Sequence, residues 1–241
     1  GVLGKAYRFN LTSQVEKMTD NIIPDVVLTD NTSQRLPCVL VLDGSGSMAG
    51  DPIRELNAGL KILEQELKND DTAAQRVQLM VIRLGDDNDV KVVTDWTDAI
   101  DFTAPELEAN GVTPLGNAIL IALEKIEAQK ENYRDHDIPY NRPWIFLITD
   151  GNPTDLDWED AAAECRQAED DNKVVIFAIG TEGADFDALK KFSGRSPVKL
   201  DGLKFKELFV WLSRSASSGS KASQDAQIQL EAPDNWGTVH T

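Results

Sequence analysis

Apolar and polar positions alternate in blocks along this chain, and the period within each block names the element. Residues 38–42 are a short apolar run rich in β-branched side chains, which predicts a strand buried on both faces. Ile53, Leu56, Leu60, Leu63 and Leu67 then recur at steps of three and four, the stripe of an amphipathic helix. Asp51-Pro52 supplies its start, an N-cap followed by proline at the first helical position. Residues 77–84 form a second strand, 85–88 a turn and 90–93 a returning strand, so this pair reads as an antiparallel hairpin. Pro114 opens a helix carrying Leu115, Ile119, Ala122 and Ile126, and residues 131–141 read as a polar loop. Residues 144–148 are the most apolar strand of the chain. A helix through Trp158, Ala161, Ala162 and Cys165 follows, then a strand at 174–179, a short helix at 186–192 and a short strand at 198–200. The last helix carries Phe205, Leu208, Phe209 and Leu212.

Strands alternating with helices predict an α/β fold: a doubly wound, mostly parallel central sheet with one antiparallel edge strand and helices on both faces. In such a sheet ligands bind beyond the carboxyl ends of the strands, where strand order reverses. We assign the domain to residues 36–214, with an extended lead-in at 18–35 and a linker and tail at 215–241. The run Ser215-Ala216-Ser217-Ser218-Gly219-Ser220 reads as flexible. Trp236 in the tail either folds back on the domain or docks into a partner. Met18 is a candidate native start, which makes residues 1–17 a cloning remnant or a disordered extension. Asn10 and Asn31 open glycosylation sequons, which carry weight only in a secreted chain.

Composition narrows the partners. The chain has 241 residues, 41% of them apolar, enough for one substantial core. Its formal charge of -17 argues against nucleic acid and against an anionic membrane surface, both of which need a basic footprint. Most of the acid serves solubility. No apolar run approaches the roughly 20 residues of a membrane span, and no secretory signal is visible. Cys38 and Cys165 both fall at apolar positions and read as buried free thiols. Their number and placement predict a reducing cytoplasm.

The chemistry is concentrated after the first strand. Asp43, Ser45 and Ser47 follow one another at steps of two, interleaved with Gly44 and Gly46. In a near-extended loop, residues two apart point the same way, and glycine permits the tight path. One carboxylate and two hydroxyls then converge. All are hard oxygens, suited to Mg²⁺, with Ca²⁺ or Mn²⁺ as alternatives, and not to zinc or copper. Thr113, before a helix, and Asp150, directly after the strand at 144–149, belong at the same carboxyl edge. The structural alternatives are an ordinary Ser/Gly loop for Asp43 to Ser47, a helix N-cap for Thr113 and a turn at Gly151 for Asp150. Asp155 and Asp157 read as caps of the following helix.

Asp-x-Ser-x-Ser, a later loop threonine and Ile148-Thr149-Asp150-Gly151 after a central strand resemble the von Willebrand factor A domain and its metal-ion-dependent adhesion site (MIDAS). The resemblance spans about residues 36–213. It implies that Asp43, Ser45, Ser47, Thr113 and Asp150 are metal ligands, directly or through water. It also implies a protein-binding function. Within the family, Arg35-Leu36-Pro37, Asp43 to Met48, Gly50-Asp51-Pro52-Ile53, Leu147 to Asp155 and Trp236-Gly237-Thr238-Val239 resemble bacterial tellurite-resistance TerY-type proteins. That likeness implies a cytoplasmic adaptor in a stress or defence system, with a protein kinase and a PP2C-type phosphatase as partners. Gly44 departs from the usual threonine or serine at a position that is not a ligand.

With one negative charge directly on a dipositive ion and Asp150 acting through water, the ion remains electrophilic. A partner's carboxylate can then replace a water. The enzymatic alternative is a metal-dependent phosphatase or hydrolase using the same site, but two carboxylates are few for two-metal chemistry. The chain has no Gly-x-Ser-x-Gly and no Walker A sequence. His136 and His240 are not placed like general bases. We therefore expect a binding module rather than an enzyme.

Overall fold

The computed structural model describes residues 28, 30–85, 89–224, 226, 230–233 and 235–241. The chain divides into two compact units, residues 1–32 and 33–241, and the fold below is that of the second. The readings of Met18, of residues 1–17, of the Asn10 sequon, of most of the lead-in and of the turn at 86–88 lie outside the described residues.

Seven strands form one sheet in the order β3-β2-β1-β4-β5-β6-β7. They are β1 (Leu36–Asp43), β2 (Val77–Gly85), β3 (Asp89–Asp98), β4 (Trp144–Thr149), β5 (Val175–Gly180), β6 (Val198–Leu200) and β7 (Gly237–Val239). β1 runs parallel to β2, from Leu36 opposite Val77 to Asp43 opposite Leu84, and parallel to β4, from Cys38 opposite Trp144 to Leu42 opposite Ile148. β4, β5 and β6 continue parallel. β3 is antiparallel to β2, as its hairpin spacing predicts. The tail adds β7 antiparallel to β6, so the far edge is capped as well.

Among the described residues of this unit six α-helices cover the sheet: α1 (Asp51–Lys68), α2 (Asp71–Arg76), α3 (Leu115–Asp135), α4 (Trp158–Asp170), α5 (Phe186–Phe192) and α6 (Phe205–Lys221). The pleat of β1 sorts the two layers. Leu36, Cys38, Leu40 and Leu42 join Leu56, Leu60, Leu63 and Leu67 of α1 and Phe205, Leu208, Phe209 and Leu212 of α6. Val39 and Val41 join Leu115, Ala118 and Ile119 of α3, Ala162 and Cys165 of α4 and Phe192 of α5. Each fully buried leucine contributes about 1.5–3 kcal/mol of transfer free energy, which fixes the register of β1. The sorting also separates Cys38 and Cys165, which are buried free thiols in opposite layers. Burial pushes both thiols up from their ordinary range.

Two local expectations are corrected, and one left open is decided. The segment at 215–220 is the last part of α6, not a flexible linker. Its small residues allow close packing: a Cβ on Gly219 would sit 2.8 Å from the Trp144 ring. Residues 131–135 continue α3 rather than starting a loop. Tyr133 there is fully buried and donates to Gln78 Oε1 of β2. The tail folds back: Trp236 is 1% exposed, lies 5.1 Å from the Trp211 ring, and its carbonyl accepts from Asp201 N at 2.8 Å.

At the amino edge, Arg35 is fully buried and forked onto Asp98 at the end of β3, with Nε to Oδ1 at 2.9 Å and Nη2 to Oδ2 at 3.1 Å. The second compact unit therefore begins ahead of Leu36, inside the segment read as lead-in.

Candidate metal centre

β1 neighbours both β2 and β4, so chain order reverses between β1 and β4. This is the crevice where a doubly wound sheet offers ligands a place. Asp43 ends β1 and Asp150 follows β4 by one residue, so both stand at its mouth.

Asp43 is fully buried. Its Oδ1 accepts from Ser45 N at 2.8 Å, and its Oδ2 accepts from the Thr149 hydroxyl at 2.5 Å and from Asp150 N at 3.3 Å. These bonds lock the carboxylate and turn the chain sharply after β1. The Ser45 and Ser47 hydroxyls are 3.0 Å apart, and Ser47 Oγ donates to Asp150 Oδ1 at 2.8 Å. Four of the five residues anticipated from sequence thus form one hydrogen-bonded cluster.

Thr113 reaches the same place through its loop. Gly46 N donates to Gly111 O at 3.0 Å, and Thr113 exchanges backbone-linked bonds with Thr154: Thr113 N to Thr154 Oγ1 at 3.0 Å and Thr154 N to Thr113 O at 2.9 Å. A Cβ on Gly151 would lie 3.0 Å from Thr113 Oγ1, which sets that hydroxyl beside the residue after Asp150. Pro114, not Thr113, occupies the cap position of α3. Asp155 serves α3 rather than the helix that follows it, its Oδ2 accepting from Asn117 N at 2.8 Å. Asp157 occupies the cap position of α4 without a side-chain bond to the helix.

Sequence reasoning passed over two supporting residues. Thr149 holds Asp43 Oδ2, yet its hydroxyl lies in a strand that reads as wholly apolar. Arg83 is the cation in β2, and it fastens the loops under the site: Nη2 to Gly44 O at 3.1 Å and Nε to Glu108 O at 2.9 Å. A lone cation in an apolar strand was its available signal. Arg83 also explains the glycine at position 44, because a Cβ there would sit 2.5 Å from Arg83 Nε.

The electrostatics favour a cation. Burial first, then the negative charge of Asp43, push Asp150 up to about 6, while the Ser47 hydrogen bond pulls the other way. Two carboxylates held this close are stabilised by a positive charge between them. Asp43, Ser45 and Thr113 are buried, Asp150 is half-buried and Ser47 is exposed. The oxygens therefore line one side of a site whose other side faces solvent. The set fits a hard divalent ion. Among the described residues no group of three His, Cys, Asp or Glu is placed to hold a metal; this cluster has two carboxylates and relies on hydroxyls. His136 Nδ1 lies 2.8 Å from the Asn132 carbonyl at the far end of α3, and His240 stacks on Phe186.

The comparisons with known proteins agree with this architecture. The model of the von Willebrand factor type A domain matches residues 38–202, and the chain belongs to that family. A von Willebrand factor type A protein from Catenulispora acidiphila is similar in structure, with a TM-score of 0.57 and 17% identity, over 77% of this chain and 43% of that one. The pilus adhesin SpaC from Lactobacillus rhamnosus GG, in its open conformation, has a TM-score of 0.59 and 13% identity over 78% of this chain and 31% of its own. Proximal thread matrix protein 1 of the mussel byssus, with a zinc-occupied MIDAS motif, has a TM-score of 0.53 and 12% identity over 78% of this chain and 49% of its own. The chain spans less than half the length of each of these three. A comparison with curated proteins gives no match.

Proposed function

We propose that this domain is a metal-dependent protein-binding module. Asp43, Ser45, Ser47, Thr113 and Asp150 hold one divalent cation, Mg²⁺ foremost, and its solvent side takes a carboxylate from a partner protein. The observation that carries this reading is the one-sided cluster. Buried oxygens crowd the inner side of the crevice, burial and the charge of Asp43 raise the cost of ionising Asp150, and the outer side is open. An ion seated there keeps exchangeable positions, and an Asp or Glu side chain replaces water with charge. The zinc-occupied MIDAS of the mussel protein and the adhesin role of SpaC support the same reading. Two-metal hydrolysis is less well served, since Asp43 and Asp150 are the only carboxylates in the hydrogen-bonded cluster described above.

The experiment is affinity capture with the wild-type chain in Mg²⁺, repeated with EDTA and with Asp43→Ala. Partners lost in both controls identify the ligand of the site. Capture that is indifferent to both sinks the metal-bridged reading.

The cellular setting rests on motif resemblance. The TerY-type likeness supports a cytoplasmic stress, tellurite-resistance or defence role, with a kinase and a PP2C-type phosphatase among the partners. Two thiols buried in opposite layers, unable to pair with each other without unfolding, suit a reducing compartment. Among the described residues no helix is long and apolar enough to cross a membrane. Cell fractionation and co-purification with the kinase check this setting. Recovery from the cell surface overturns it.

A further inference from the structure

The other end of β4 carries the opposite chemistry. A cavity of about 1140 Å³ opens below the amino ends of β4 and β5, as large as the pockets that take small organic ligands. Lys130, Arg142, Lys173 and Arg195 line it, Trp144 and Phe177 form part of its apolar wall, and none of the described lining residues is acidic. The whole chain has 41 acidic and only 24 basic residues, so a cavity whose charged lining residues, among those described, are all basic is locally unusual, with Glu127, Asp171 and Glu169 standing behind the lining.

The cations retain capacity for a ligand. Arg142 is exposed and has no hydrogen-bond or ion-pair partner among the described residues. Lys173 and Asp171 are 3.9 Å apart and about half exposed, a contact of little strength. Arg195 is 3.6 Å from Glu169, but that carboxylate already accepts from Ile176 N, Ser193 Oγ and Gly194 N. The guanidinium carbon of Arg195 lies 5.6 Å from the centre of the Phe177 ring, so this exposed side chain borders an aromatic surface on one face. Lys130 is deeply buried, its side chain only 9% exposed, and pairs with Glu127 at 2.7 Å. Guanidinium and ammonium donors around an aromatic wall match a compact polyanion attached to a flat ring.

We propose that this cavity binds a small phosphorylated ligand bearing a planar ring, of the nucleoside phosphate class. The phosphates meet Arg142, Lys173 and Arg195, and the ring lies against the Phe177 side. The site is independent of the metal centre. Trp144 opens the six-residue strand β4 and Asp150 directly follows its end, about 20 Å apart at strand rise.

The test is isothermal titration calorimetry of the full chain with ADP and with pyrophosphate, in EDTA and on an Asp43→Ala background, so that the carboxyl-edge site is silent. ADP is expected to bind one-to-one and at least tenfold tighter than pyrophosphate. Arg142→Glu and Arg195→Glu each weaken ADP at least tenfold, while Lys206→Glu, a charge reversal on α6, leaves it unchanged. Both lining variants replace exposed residues, so their thermal melts serve as the folding control. Absence of saturation below about 1 mM ADP, or equal weakening by Lys206→Glu, overturns the site. Equal affinity for pyrophosphate overturns the role of the ring wall.

Discussion

Serine does opposite work in two regions of this molecule. At the carboxyl edge, Ser45 and Ser47 turn their hydroxyls to each other and to Asp150, across chain segments more than a hundred residues apart. In α6, Ser213 and Ser220 are as buried as Ser45 but return their hydroxyls to the Val210 and Ser217 carbonyls, at 2.7 and 2.8 Å. The first pair holds oxygens in common with a carboxylate. The second pair is satisfied within its own helical turn and behaves as small packing residues. Burial of a polar side chain is therefore not the mark of a site; what matters is whether its polarity is spent locally.

The largest expected effect lies in the packed region. Trp236→Ala removes a fully buried ring that closes the α6 side of the core, and thermal or denaturant unfolding should show a loss of about 3–5 kcal/mol. A loss under about 1 kcal/mol would mean that the tail is an accessory rather than part of the fold. Next comes the carboxyl edge. Ser47→Ala, at an exposed position, should leave the melt in chelator unchanged yet weaken Mg²⁺ binding about 10- to 100-fold by calorimetry, the range for losing a supporting group at a metal centre.

The third effect is on pH. Asp150 is raised to about 6 by burial and by Asp43, against about 3.9 in an unfolded chain. The folded state holds this proton more tightly, so without metal the Asp150 contribution to stability falls as pH rises from about 4 through 6. A bound cation offsets that loss. The Mg²⁺-induced rise in melting temperature should accordingly be larger at about pH 7 than at about pH 5, and an equal rise at both would remove Asp150 from the site. The smallest effects return to α6. Ser213→Ala and Ser220→Ala should each change stability by no more than about 0.5 kcal/mol, since alanine suits a helix better and each lost bond was local. A cost above about 2 kcal/mol in either would erase the contrast between the two sets of serines.

Much of this was legible along the chain because the signals are local. The alternation of apolar runs and helical stripes located every sheet strand through β6, and the Asp43 to Ser47 spacing pointed to the crevice. What escaped notice depends on partners distant in sequence. The end of α6 lacks an apolar period because Gly219 and the serines must let a backbone approach Trp144. Tyr133 sat in a polar stretch, and its place was set by Gln78 on another element. β7 has three residues and no pattern of its own; it pairs because Trp236 anchors the tail. α2 is too short for periodicity to show, although Asp70 caps it by accepting from Thr72 N and Ala73 N. Asp155 capped the earlier helix because the loop at 150–157 folds onto the start of α3, a tertiary fact.

The central claim is that the crevice between β1 and β4 holds one divalent cation. Its most direct test is calorimetric titration of the chelator-stripped protein with Mg²⁺ and with Mn²⁺ at neutral pH, alongside Asp43→Ala and the isosteric Asp43→Asn, each verified as folded by circular dichroism. One saturable site in the wild type, lost in Asp43→Ala and strongly weakened in Asp43→Asn, is the result predicted. A wild-type chain that takes up neither ion, or a folded Asp43→Ala that binds as tightly as the wild type, would contradict it.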